Sequence, residues 1–248
     1  YARDNGGDNG DLVIDGNITR TANGVATLDL RADGGIGSSV AVNITANDAD
    51  SDGDGDPTTD ADSLNIIFNA NREGVIGNEE GGLSIHNATI RTLGGNVIMG
   101  GGTDPQNTPA YRYQGVRLSN TSIDSGAGNI YMTGTSSAAS GGTGWTGIWF
   151  TNNSSLTTTT GDIRLTGISR TDGTENPGIY LETGSISTTS GEIRITGEAQ
   201  GNNTDNNGVT IAGNFDITST GTGTGIGDIT ITGTGPGDQA SAILIDGS

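Results

Sequence analysis

The chain has 248 residues, 45 of them Gly, with no Cys, no Lys and a formal net charge of −19. The missing Cys excludes a disulfide framework and thiol redox chemistry, and the charge leaves no basic patch to neutralise phosphates, which argues against nucleic-acid or anionic-membrane binding. Only 30% of the residues are apolar and 4% aromatic, low for a packed domain of this length, so the spacing of the apolar residues has to decide between disorder and an ordered fold.

In chain order, a Gly, Asp and Asn-rich start leads into DLVIDGNITRTANG from Asp11, a loose pair of strand-like segments, and then into the acidic run DADSDGDGDPTTDAD from Asp48 to Asp62. Residues 1–62 read as less regular coils. From Ser63 the pattern becomes a repeat. Segments of the form GxIxLTG open at Gly95, Gly128, Gly161, Gly191 and Gly227, at steps of 33, 33, 30 and 36 residues. In phase with them, segments of the form GIxLxx open at Gly82, Gly115, Gly147, Gly178 and Gly208, each followed by an xSIxTxxG segment, and the pattern resumes at Ala242. A repeat of this length marks a solenoid.

Within each segment apolar and polar residues alternate, the period of a strand with one buried face. Three strands of four to six residues cannot bury that face alone, but stacked on a copy of themselves they can. The expected fold is all-β: a right-handed parallel β-helix, one domain over residues 1–248, with about 30–33 residues and three short strands per coil. The handedness follows from the general preference for right-handed crossovers. Seven or eight coils at a rung spacing of about 4.8 Å give a rod of roughly 35–40 Å. The alternation predicts three inner columns: Val97, Ile130, Ile163, Ile193, Ile229; Leu83, Val116, Ile148, Ile179, Val209, Ile243; and Ile90, Ile123, Leu156, Ile186, Ile217.

The phrases DSLNIIFNANREG, GGLSIHNATIRTLGGNVIMGG and the recurring GxIxITG resemble the repeat region of filamentous haemagglutinin-type bacterial exoproteins, adhesins secreted through an outer-membrane partner. The resemblance covers most of the chain from about Ser63 onward. It implies a role in adhesion or surface structure rather than catalysis, a location outside the cell or on the bacterial surface, and a chain that is a repeat segment or processed product. No apolar run is long enough to span a membrane.

Four sets of residues are candidates for function. Asp48, Asp50, Asp52, Asp54, Asp56, Asp60 and Asp62 supply carboxylates at alternate positions, with Gly53 and Gly55 between them. Calcium suits such a D-x-D-x-D-G run, although counting from Asp50 the twelfth place is Ala61 rather than a bidentate Glu; an acidic, solvated connection that discourages strand association is the other reading. On the GIxLxx segment the outward column runs Ser84, Arg117, Trp149, Tyr180, Thr210, with Tyr111, Tyr113 and Trp145 in the loops before it. These rings beside Asn and Asp loops could hold glycans, or simply stack on one another. The unlike loops TSSAASGGTGWTG, ISRTDGTENPG, EAQGNNTDNNG and TGPGDQASA fall on one edge, where repeat proteins place binding and also where sequence drifts. Finally, Leu12 and Ile14 at one end and Ile243 and Ile245 at the other would meet head to tail, in a fibre of separate copies or in consecutive pieces of one polypeptide. Against catalysis, the one His, His86, lies on an outward phase with no Ser–Asp partner obvious from its position, and Asp162, Arg164, Glu192 and Arg194 read as cross-strand charge pairs on a solvated sheet. A Thr-rich ice-binding face is interrupted by Arg91, Asp124 and Asp216.

Overall fold

A computed structural model describes residues 10–21, 24–46, 62–72, 81–138, 142–201, 203–221, 227–236 and 240–246. Among them there is no helix, and the strand ladders are parallel throughout. The chain is a parallel β-solenoid, with about five regular turns from Leu83 onward and looser coils before them. No helix of the described residues is long and apolar enough to cross a membrane.

Two sheets carry the fold. One has eight strands. Its main column climbs from Val25–Arg31 through Ser63–Ala70, Val97–Gly101, Ile130–Ser136, Ile163–Ser169 and Ile193–Ala199 to Ile229–Thr234, and Ala110–Arg112 pairs beside Ile130–Ser136. The other, of 13 strands, holds the GIxLxx and xSIxT segments as two columns side by side. In the earlier coils the corner between these columns is an Asn in the left-handed region, Asn87, Asn120 and Asn152, at φ 52°, 49° and 52°. Asn tolerates this conformation because its short polar side chain finds local partners: the Asn120 amide donates to Asn87 Oδ1 at 2.8 Å, and the Asn152 amide donates to Ser119 Oγ at 2.9 Å. In the later coils this corner is traversed without a break, by Ile179–Thr188 and Val209–Ser219. The second and third of the three expected strands are there a single strand.

The expected columns are in register residue for residue. Ile163 lies against Ile130 on one side and Ile193 on the other, Ile148 lies between Val116 and Ile179, and Leu156 between Ile123 and Ile186. All of these are fully buried. The columns also reach further toward the amino terminus than the repeat suggests. Leu28 and Ile66 precede Val97, Ile36 precedes Leu83, and Ile18 and Ile44 precede Ile90. These early coils are irregular in length rather than in register, with Leu12 pairing Ile36 at a step of 24 residues and Ile36 pairing Leu83 at a step of 47.

Polar ladders hold the edges. At the start of the GxIxL strands each side chain accepts from the backbone N–H one rung on: Asn65 from Asn96, Asn96 from Asn129, Asn129 from Asp162, and Asp162 from Glu192, at 2.7–2.9 Å. Asp162 is therefore committed to the backbone. Glu192 pairs along its own strand with Arg194 at 2.5 Å, while Arg164 lies directly opposite Arg194. The expected charge pairing across rungs gives way to pairing within a strand, because the ladder places like residues opposite one another.

Candidate functional site

The outward column of the GIxLxx strands forms a continuous stack. Arg117, Trp149, Tyr180, Thr210 and Leu244 occupy successive rungs. The Arg117 guanidinium carbon lies 4.7 Å from the Trp149 ring centroid. On the next rung Tyr180 stacks on Trp149, with centroids 6.2 Å apart and planes 14° apart. Trp149 Nε1 donates to Glu182 Oε2 at 3.1 Å. Trp149 thus has a guanidinium on one side and an offset phenol ring on the other, and part of it still lines the groove that opens beyond Tyr180. Tyr113 and Trp145 engage each other at 4.6 Å, and Tyr111 is buried.

Beyond Tyr180 the stack is interrupted. Thr210 is too short to continue it, and the next large side chain is Leu244 two rungs away. A groove of about 480 Å³ opens here, between Tyr180 and Leu244 and against the loop edge. Glu175, Asp205 and Asp246 line it, with Asn207 holding the Thr210 hydroxyl at 3.2 Å. Glu175 and Asp205 occupy left-handed backbone positions, φ 60° and 61°, on the same corner as Gly144 at φ 72°. The backbone links these corners, Gly144 N–H donating to Glu175 O at 3.3 Å. Burial pushes the Tyr180 phenol up, and the carboxylates of Glu182, Asp246 and Glu175 add to the shift.

The loop edge behind the groove is built on buried Asn residues that sequence reasoning passed over. Asn176 Oδ1 accepts the Trp145 N–H at 2.7 Å, and its amide donates to Gly142 O at 2.9 Å. Asn206 Oδ1 accepts the Asn176 N–H at 3.0 Å, and its amide reaches both Gly173 O and Gly201 O. Asn207 Oδ1 accepts the Ser241 N–H at 2.7 Å. The signal was present as an Asn two residues before the Gly of NPG and NNG, in loops that otherwise share little.

His86 has a partner after all: Ser84, two residues earlier on the same outward face, with Oγ 2.7 Å from Nε2. Ser38 clasps the His86 backbone, accepting its N–H at 2.8 Å and donating to its carbonyl at 2.9 Å. Desolvation, with Arg117 adding to it, pulls the imidazole below its usual range. Ser84 and His86 lie in paired register with Arg117 and Ser119 on the next rung.

Of the acidic run, Asp48, Asp50, Asp52, Asp54, Asp56 and Asp60 lie outside the described residues. Asp62 is described and buried, 3.8 Å from Arg20 and accepting the Gly24 N–H. Among the described residues no group of three or more His, Asp or Glu is arranged to hold a metal ion. At the ends of the ladder Ile14 is buried and Leu12 partly so, whereas Ile243 is 37% and Ile245 70% exposed.

Comparison with protein-family models, with curated proteins and with solved structures returns no match to this chain.

Proposed function

We propose that this solenoid is a structural module of an extracellular or cell-surface bacterial protein of the adhesin type, which extends by adding rungs at its ends. One observation carries the reading: among the described residues, the first and last strands of each column have a partner on one side only. Leu12–Ile14 pairs with Ile36–Ser38, and Ile243–Asp246 with Val209–Ser219. Among the described residues no strand pairs with their outer sides, and at the far end the inner-column residues Ile229, Ile243 and Ile245 are exposed. A further rung would bury them, supplied by more of the same polypeptide or by another copy stacking head to tail. The resemblance to haemagglutinin-type repeats agrees with this.

Electron microscopy of the purified chain, with calcium and after chelation, tests the fibre form. Filaments with an axial repeat near the length of one rod are expected, and Ile245→Lys should abolish them by placing a charge in the joint. Filament loss on chelation would place calcium at the run from Asp48 to Asp62 or at the joints. Isolated rods at every concentration would rule out stacking of separate copies. Glycan binding is the second reading, through Tyr180 and Trp149, which line the groove, rather than through buried Tyr111 or the mutually engaged Tyr113 and Trp145. It is favoured by the groove, where Tyr180 faces outward from the stack, and a shift in Trp fluorescence on adding neutral oligosaccharides would support it.

A further inference from the structure

We propose that the gap in the outward stack is a binding slot for an arginine side chain of a peptide or protein partner. The inference goes beyond the structural role and does not depend on it. The column is a run of flat groups at rung spacing: a guanidinium on Trp149, then Trp149 on Tyr180. At Thr210 the run loses one member and resumes with Leu244. Two rungs separate Tyr180 from Leu244, about 9.6 Å at the usual spacing, which leaves room for one planar group on the Tyr180 face. The molecule already shows which group such a stack accepts, since Arg117 caps its other end.

Charge selects the same occupant. Glu175, Asp205 and Asp246 line the slot, and among the described residues no Arg does. A guanidinium combines a flat face for Tyr180 with a fork of N–H donors for carboxylates, and it is weakly hydrated enough to leave water for such a site. A neutral sugar would answer the ring and give its hydroxyls to the carboxylates, but it would leave their three charges uncompensated. An ammonium would answer the charge but not the planar gap. The groove runs on toward Thr143 and Gly144 at the loop edge, so the peptide backbone has somewhere to lie while one side chain enters between Tyr180 and Leu244.

The test is an NMR titration of the full chain, reading the Trp149 indole N–H and the Tyr180 ring, with the tripeptide Gly-Arg-Gly. Its isosteric neutral counterpart Gly-citrulline-Gly and a neutral glucose oligomer serve as comparisons. Saturable shifts with the arginine peptide are expected, at least tenfold weaker with citrulline. Thr210→Tyr fills the missing rung with a residue suited to strands and should abolish binding, while Thr210→Ser leaves the gap and should keep it. Asp246→Asn should weaken binding about threefold, the scale of one exposed charge pair. Equal binding of the citrulline peptide, preferential binding of the sugar at Tyr180, undiminished binding by a folded Thr210→Tyr, or no shift with the arginine peptide at millimolar concentration would each overturn the proposal.

Discussion

Gly161 opens one of the two nearly identical segments GDIRLTG and GEIRITG, and the structure turns its identity into a number. A Cβ built on Gly161 would lie 1.9 Å from the carbonyl oxygen of Gly128, one rung below, and 2.4 Å from its carbon. Tolerated C···O contacts begin near 3.3 Å, so Gly161→Ala requires the two rungs to part by about 1.4 Å. The bonds joining them there are Ile130 N–H to Asp162 O at 2.8 Å, Asp162 N–H to Asn129 Oδ1 at 2.7 Å, and Thr159 N–H to Gly126 O at 2.6 Å. None survives such a displacement with its geometry intact. At about 1 kcal/mol net for each, the substitution costs about 3 kcal/mol, or about 1 M in urea midpoint at an m-value near 3 kcal/mol/M. Gly16→Ala is the control: nothing lies within 4 Å of its Cβ and its φ is not positive, so it should be neutral or slightly stabilising. Urea titrations of both variants followed by far-UV circular dichroism decide it. A Gly161→Ala midpoint within about 0.2 M of the Gly16→Ala midpoint, at unchanged m, would refute the claim that glycine is required there by rung contact. The same contact recurs at Gly95, Gly128 and Gly191, with Cβ to carbonyl oxygen distances of 2.3, 2.2 and 1.9 Å.

Phe150→Ala should cost about 3–5 kcal/mol in the same assay, since Phe150 is fully buried and meets Phe215 edge to face at 5.9 Å; a loss under 1 kcal/mol would mean that the coil collapses into the space. Asn176→Ala leaves the Trp145 N–H and the Gly142 carbonyl without their side-chain partner, at about 1–3 kcal/mol for each group left buried, and should redshift Trp145 emission as the loop loosens; an unchanged spectrum would show the loop is held by other means. The His86 imidazole sits below its ordinary value when folded, so the unfolded chain binds the proton more readily. Stability from this group is complete above its unfolded pKa near 6.5 and is lost as pH falls through the folded value. Midpoints measured between pH 8 and pH 4 should therefore fall more steeply for the wild type than for His86→Gln, and parallel curves would exclude the effect.

Much of the fold can be read from the sequence because in a parallel solenoid the repeat step is also the contact map. Once Gly128 and Gly161 are seen to be 33 residues apart, Ile130 must lie on Ile163, and it does. The same logic failed where the step changes. Ile36 and Leu28 belong to the same columns, but steps of 47 residues from Ile36 to Leu83 and 38 from Leu28 to Ile66 hide them from a search for a fixed period, whereas Ile66, 31 residues before Val97, keeps it. The merging of two strands at Ile179–Thr188 was hidden for another reason: the Asn that turns the earlier corners is replaced in that coil by Glu182 and Thr183, and the change of backbone follows from residues that strand periodicity does not weigh.

The candidate site was visible in parts and invisible as a site. Trp149 and Tyr180 could be placed on adjacent rungs from their spacing, which leaves both stacking and glycan binding open. The outward column with Arg117 and Thr210 was legible too; the structure adds that the Arg117 guanidinium lies on the Trp149 ring and that Leu244 follows Thr210, so that the stack stops one member short. The carboxylates were harder still. Glu175, Asp205 and Asp246 lie in two variable loops and on the last described strand, with no common motif, and they converge because loop and strand return to the same corner at each rung. A groove of this kind is written in the sequence as the absence of a large residue at one outward position. Such an absence has meaning only when the column it interrupts is known, so the residue whose replacement tests the slot most directly is the unremarkable Thr210.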